Sequence, residues 1–109
     1  MKDDVIRELY EVISERKGKH EEGSYTCYLF EQGLDKILKK VGEECTETII
    51  AAKGGDNKQL KGEIADLVYH LLVLMKQCEL PLDEITSELK SRAKKMHNLK
   101  ASKTVDKNS

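Results

Sequence analysis

Apolar side chains recur at intervals of three and four along most of this chain, the period of an α-helix packed on one side. Val5, Ile6, Leu9, Tyr10 and Ile13 form the first stripe, behind Asp3 and Asp4, whose carboxylates suit a helix start. A helix to about Arg16 is predicted. Lys17 to Gly23 is charged and ends in glycine, so it reads as a loop, and Ser24 opens the next ordered segment. From Leu34 a longer stripe runs through Ile37, Leu38, Val41, Cys45, Ile49 and Ala52, predicting an amphipathic helix that ends at Lys53 with Gly54 as its C-cap. Asp56 is a natural N-cap for another helix, with Gln59 three residues on in a capping-box-like relation.

That helix, Asn57 to Gln77, is apolar nearly all round. Ile64, Ala65, Leu67, Val68, Tyr69 and the run Leu71 to Met75 surround only Asp66 and His70, and such a helix is central or lies at a subunit interface. Pro81 or Asp83 then starts a last helix with Leu82, Ile85, Leu89, Ala93 and Met96 on one stripe. No strand pattern and no internal repeat is present. The expected class is therefore all-α, a four- to five-helix bundle forming a single domain over 1–98, with a polar, frayed tail over 99–109.

Two carboxylate pairs stand out on the middle helices, Glu44-x-x-Glu47 and Glu63-x-x-Asp66. Residues three apart share a helix face, so each pair presents two carboxylates side by side. Both lie at matching distances from the Gly54-Gly55 break, and an antiparallel hairpin would bring them to one level roughly 9 to 14 Å from the turn, at about 1.5 Å per residue. Four converging carboxylates repel one another unless a cation is bound, and an all-oxygen set suits magnesium better than zinc. The competing reading is a solvated acidic face. Asp66 resists that reading, because its helix offers almost no polar side and a buried carboxylate is costly without a partner.

The 109 residues, 39% apolar, suffice for one modest core. A formal net charge of −1 advertises no surface for nucleic acid, and no apolar run is long enough for a signal peptide or a membrane span. A soluble, cytoplasmic protein is expected. Cys27, Cys45 and Cys78 show no C-x-x-C spacing; Cys45 and Cys78 fall on apolar faces and read as small buried hydrophobes.

Other residues are open to two readings each. His70, four after Asp66, suits either a supporting hydrogen bond or base at a metal site, or a satisfied interior imidazole. Lys39 and Lys40 precede the first acidic pair by about a turn, close enough to meet phosphate oxygens, although either lysine could also pair with Glu43 or Glu44 on the surface. Gly42 inside a helix costs roughly 1 kcal/mol relative to Ala, which suggests a close approach to the backbone there. Arg92 fits a phosphate contact or a surface ion pair. A di-iron carboxylate site needs Glu-x-x-His, and neither Glu44 nor Glu63 has His at that offset.

Together, Ser24-Tyr25-Thr26, Leu29-Phe30, Gly33, the run Ile37-Leu38-Lys39-Lys40-Val41-Gly42-Glu43-Glu44 with Glu47, then Glu63, Ala65-Asp66-Leu67 and Tyr69-His70-Leu71-Leu72 closely resemble the phosphoribosyl-ATP pyrophosphohydrolase family. That family is related to the all-α MazG-like pyrophosphohydrolases and dimeric dUTPases. The acidic pairs mark only the superfamily; the Ser-Tyr-Thr segment and the Lys-Lys-x-Gly-Glu-Glu run mark the histidine-pathway branch.

The resemblance implies hydrolysis of the α–β phosphoanhydride of N1-(5-phosphoribosyl)-ATP to phosphoribosyl-AMP and pyrophosphate, the second step of histidine biosynthesis. It implies magnesium held by Glu44, Glu47, Glu63 and Asp66, which are also the catalytic set, and substrate contacts from Ser24, Tyr25, Thr26, Lys39, Lys40, His70 and Arg92. It further implies a homodimer, and a separate phosphoribosyl-AMP cyclohydrolase for the next step. The alternatives are a MazG-like enzyme acting on other nucleoside triphosphates, which would share the metal chemistry, and a non-catalytic helical adaptor, which would bind no metal through Glu44 or Asp66.

Overall fold

A computed structural model describes residues 4–102, with side chains over 4–97. Among them all regular structure is helical: α1 (Val5–Arg16), α2 (Tyr25–Gln32), α3 (Leu34–Gly54), α4 (Asn57–Gln77) and α5 (Leu82–Ser102). The all-α expectation holds, and α2 brings the count to five. The last helix runs to Ser102, past the expected boundary at 98; residues 103–109 of the expected tail, and Asp3 at the chain start, lie outside the described residues.

Short polar side chains set the helix starts. Asp4 accepts from the Arg7 backbone N–H, Ser24 from Cys27 and Asp56 from Lys58 and Gln59, each satisfying donors that a first turn leaves free. At the end of α3 the cap falls one residue later than expected. Gly54 closes the helix and Gly55 takes the left-handed conformation, φ 77°, where a side chain would be strained.

The end of α4 is built differently. Glu79 has φ 56°, the Glu79 N–H donates to Lys76 C=O and the Leu80 N–H to Met75 C=O at 2.8 Å, the pattern in which glycine usually sits. A carboxylate side chain is useful there. It bonds Lys17 Nζ at 2.7 Å and Lys76 Nζ at 3.2 Å, while Lys17 Nζ also donates to the Lys76 and Gln77 carbonyls at the helix end. Together the two lysines hold the Glu79 carboxyl below the usual carboxylate range.

The long helices α3 and α4 form an antiparallel hairpin, and α1 and α2 pack across one end of it. Ile13, Leu29, Ile37, Leu72, Val73 and Leu82 make the core. Leu82 ties the first turn of α5 to that core, whereas Leu89 and Met96 further along it stand in the open.

Only one edge of the expected α3 stripe packs, at Ile37. Ile37, Glu44 and Ala51, spaced by sevens, are its buried residues, while Leu38, Cys45 and Ile49 are exposed. The two lines lie about 100° apart around the helix. A helix can press only one side against α4, and the side that does so here carries Glu44. Cys45 is accordingly exposed, as is Cys78 at the end of α4, both contrary to expectation, and only Cys27 is buried. Gly42 is also open, with nothing among the described residues within 4 Å of the place a Cβ would take.

Candidate metal centre and adjoining pocket

Turning Glu44 toward α4 sets it against the acidic pair of that helix. One carboxylate oxygen each from Glu44, Glu63 and Asp66 fall within 4.8 Å of one another, with Glu44 buried, Glu63 half-buried and Asp66, contrary to expectation, exposed, because α4 leaves one side open around Ile64 to Asp66. Thr48, one turn after Glu44, fixes the level: its hydroxyl donates to Glu44 C=O at 2.7 Å and lies 3.5 Å from Glu63 C=O across the helix gap. Glu47 stands outside the three-oxygen cluster and is exposed, and its proximity adds to the upward push on the Glu63 carboxyl.

The electrostatics of the cluster are unfavourable as it stands. Glu44 is 7% exposed, and both Glu44 Oε1 and Glu63 Oε1 are buried without a hydrogen-bond partner. Burial first, then Glu47, and then the charges of Glu44 and Asp66 push the Glu63 carboxyl above the usual range. Buried acceptors are ordinarily paired, and two orphans pointing into one acidic cluster are the signature of an oxygen-ligated cation. The residues present therefore fit a hard divalent metal.

Around this centre the chain builds a second layer. His70 is buried on α4, and its Nδ1 lies 2.8 Å from the Asp66 carbonyl. A carbonyl only accepts, so Nδ1 donates to it, and in the tautomer that carries its proton on Nδ1 alone Nε2 accepts from the Tyr25 hydroxyl, 2.9 Å away. Burial pushes the Tyr25 phenol up, which keeps it a donor. Thr26 bonds the Tyr69 hydroxyl, so the α2 segment is fastened to α4 at two successive residues. His70 is thus a satisfied interior group and at the same time a prop for Tyr25.

Beside the cluster lies a pocket of about 290 Å³ lined by Tyr25, Tyr28, Lys36, Lys39, Lys40 and Glu43. Lys40 bonds Glu43 at 3.2 Å, which raises its affinity for its proton. Of the expected substrate residues, Tyr25, Lys39 and Lys40 line this pocket, and Thr26 and His70 brace it from α2 and α4. Ser24 is occupied as the α2 cap and by Arg16 Nη1 at 3.2 Å. Arg92 is on the exposed part of α5, paired to Glu88 at 2.9 Å, so its surface reading describes the geometry. Sequence reasoning passed over Thr48, Tyr28 and Lys36. The available signal was helical spacing, since Thr48 follows Glu44 by four and Lys36 precedes Lys40 by four.

A sequence model described as phosphoribosyl-ATP pyrophosphohydrolase matches residues 6–93. The chain belongs to the phosphoribosyl-ATP pyrophosphohydrolase family. It is 58% identical over 92 residues to a phosphoribosyl-ATP pyrophosphatase of Pelotomaculum thermopropionicum, covering 84% of this chain and 94% of that one. With the phosphoribosyl-ATP pyrophosphatase of Clostridium botulinum strain Kyoto it shares 54% identity over 107 residues, 97% of either chain. It is also 57% identical over 88 residues to the histidine biosynthesis bifunctional protein HisIE of Bacillus subtilis, spanning 81% of this chain and 42% of that protein. The family expected from the motifs is the one found.

Proposed function

We propose that the chain hydrolyses phosphoribosyl-ATP to phosphoribosyl-AMP and pyrophosphate in histidine biosynthesis, with magnesium as its cation. The orphaned oxygens of Glu44 and Glu63 beside Asp66 carry the reading, since they leave unmet coordination of the kind a cation shared with a triphosphate would fill. In the reaction the α–β anhydride P–O bond breaks, water gives its oxygen to the phosphorus it attacks, and its protons pass to the protein or to the departing pyrophosphate. Glu44, Glu63 and Asp66 would hold the cation. Bound there, magnesium would polarise phosphoryl oxygens and acidify a water. Glu47, outside the cluster and three residues along the same helix face from Glu44, would accept a proton from water. Lys39 and Lys40 offset phosphate charge, and Tyr25 closes one wall.

The same reading includes a homodimer acting in the cytoplasm. Leu38 and Ile49 of α3 and Ile64 and Leu71 of α4 are 39% to 63% exposed. In an antiparallel hairpin both lines fall on one side, because each is turned about 100° the same way from its helix's packed line. A second copy of this chain suits that face, with the open Leu89 and Met96 of α5 giving each copy an arm to lay on the other. No helix among the described residues is long and apolar enough to cross a membrane.

Pyrophosphate release from synthetic phosphoribosyl-ATP, with magnesium and after chelation, tests the proposal. Glu47→Gln and Asp66→Asn are expected to abolish release while the protein stays helical. Near-normal turnover in either variant, or efficient hydrolysis of ordinary nucleoside triphosphates with none of phosphoribosyl-ATP, would reject it.

A further inference from the structure

The pocket beside the metal centre has the opposite polarity to it. Lys40 is neutralised by Glu43, but Lys36 and Lys39 have no carboxylate partner among the described residues. Lys36 Nζ lies 5.8 Å from the centroid of the Tyr28 ring, and the Tyr25 and Tyr28 rings stack at 6.2 Å and 26°. Both residues are two-fifths exposed, and Tyr25 also stacks on Tyr69 at 6.2 Å, so the tyrosines form a braced aromatic wall with an exposed rim. Two unpaired ammonium groups beside such a wall suit a phosphate dianion attached to a ring. The pocket is joined to the centre through Tyr25, which is both a wall of the pocket and the donor to His70 on the Asp66 turn. Along α3 the cations recede from Glu44, Lys40 by about 6 Å and Lys36 by about 12 Å at 1.5 Å per residue.

A ligand that reacts at the carboxylates and extends along α3 thus meets Lys36 and Tyr28 with a part well removed from the reacting bond. The substrate proposed above has such a part. One anionic end is the triphosphate; the other is a phosphate ester on the second ribose, across the adenine ring. We infer that Lys36 and Tyr28, with Lys39, form the subsite for this phosphoribosyl end, Lys36 and Lys39 binding its phosphate and the Tyr28 face packing on the sugar and base. This inference rests on the proposed function. It assigns the discrimination between phosphoribosyl-ATP and plain nucleoside triphosphates to residues outside the acidic motif.

Product inhibition separates the two ends of the substrate, because one product keeps the phosphoribosyl group and the other is pyrophosphate. In Lys36→Ala, inhibition by phosphoribosyl-AMP should weaken roughly tenfold or more, the loss of one charge-assisted phosphate contact, with KM rising in step, and Tyr28→Leu should weaken it severalfold through lost aromatic packing. Inhibition by pyrophosphate should not change, and Lys36→Arg should restore most of the affinity. Weakened pyrophosphate inhibition instead would assign the pocket to the leaving group and overturn the inference, as would no change toward either product. If the unmodified protein fails to hydrolyse phosphoribosyl-ATP, the proposed function falls, and calorimetric titration with phosphoribosyl-AMP and with AMP still tests the pocket. Tighter binding of the former, lost in Lys36→Ala, supports the subsite; equal binding of the two overturns it.

Discussion

Neutralising Glu44 should stabilise the metal-free protein while removing its metal site, a combination that a structural carboxylate does not produce. Glu44 is 7% exposed, and its Oε1 has no partner. A buried acceptor left unsatisfied costs about 1–3 kcal/mol. Glu44→Gln keeps the shape, removes one of three converging charges and supplies an amide that can donate to the neighbouring carboxylate oxygens. For a chain of this size each kcal/mol moves Tm by about 4–8 °C, so a rise of at least about 4 °C is expected in chelator. Far-UV circular dichroism melts read it directly. Magnesium at about 100 times its Kd should add about 2.7 kcal/mol to the unmodified protein and nothing comparable to the variant. A variant that melts lower than the parent in chelator, yet still gains from magnesium, would refute the account of Glu44 as a ligand held against repulsion.

The same geometry sets three further outcomes. The Glu63 carboxyl is raised in the folded protein, so its contribution to metal-free stability is present below the unfolded value and is lost as pH rises through the folded one; melts in chelator should fall over that window, and magnesium affinity should weaken on acidification because ligand and proton compete. Lys17→Met should lose about 1 kcal/mol through the uncapped Lys76 and Gln77 carbonyls, and urea melts should also show less acid sensitivity, since the depressed Glu79 carboxyl stabilises above its unfolded value and that contribution is lost as pH falls through the folded one. An unchanged midpoint would show the carbonyls to be served by water. Tyr25→Phe should cost about 1 kcal/mol by leaving His70 Nε2 without its donor, while nitrogen NMR still finds the proton on Nδ1 toward Asp66; a switch to the other tautomer would overturn the assigned hydrogen bond.

Helix ends were the most legible part of the fold. Asp4, Ser24 and Asp56 cap where their side chains allow, because capping is a local interaction between a residue and the next turn. The end of α3 missed by one residue, since either glycine of Gly54-Gly55 can take the left-handed turn. Helix α2 carries only eight residues and too little stripe to announce itself. The Glu79 cap was invisible for a different reason: its stabilising partner Lys17 is remote in sequence.

In the candidate site, the acidic pairs and the Lys39-Lys40 run were legible because residue types at helical spacing carry them. Which oxygens meet was not. Glu47 belongs to the same motif as Glu44 yet lies outside the cluster, and Lys36 and Tyr28 carry no motif and gain meaning only from a shared pocket.

Family, helical class and the list of chemically capable side chains are determined by the sequence itself, since they depend on residue identity and local spacing. The rotation of α3 was decided by tertiary packing alone. Its strongest apolar line, Leu38, Cys45 and Ile49, faces outward, and the line through Ile37, Glu44 and Ala51 faces α4. An amphipathic stripe states that a face will be buried but not by what. With one side of α3 committed to α4 and another left open, only the three-dimensional packing distinguishes the face that builds the metal centre from the face that remains on the surface.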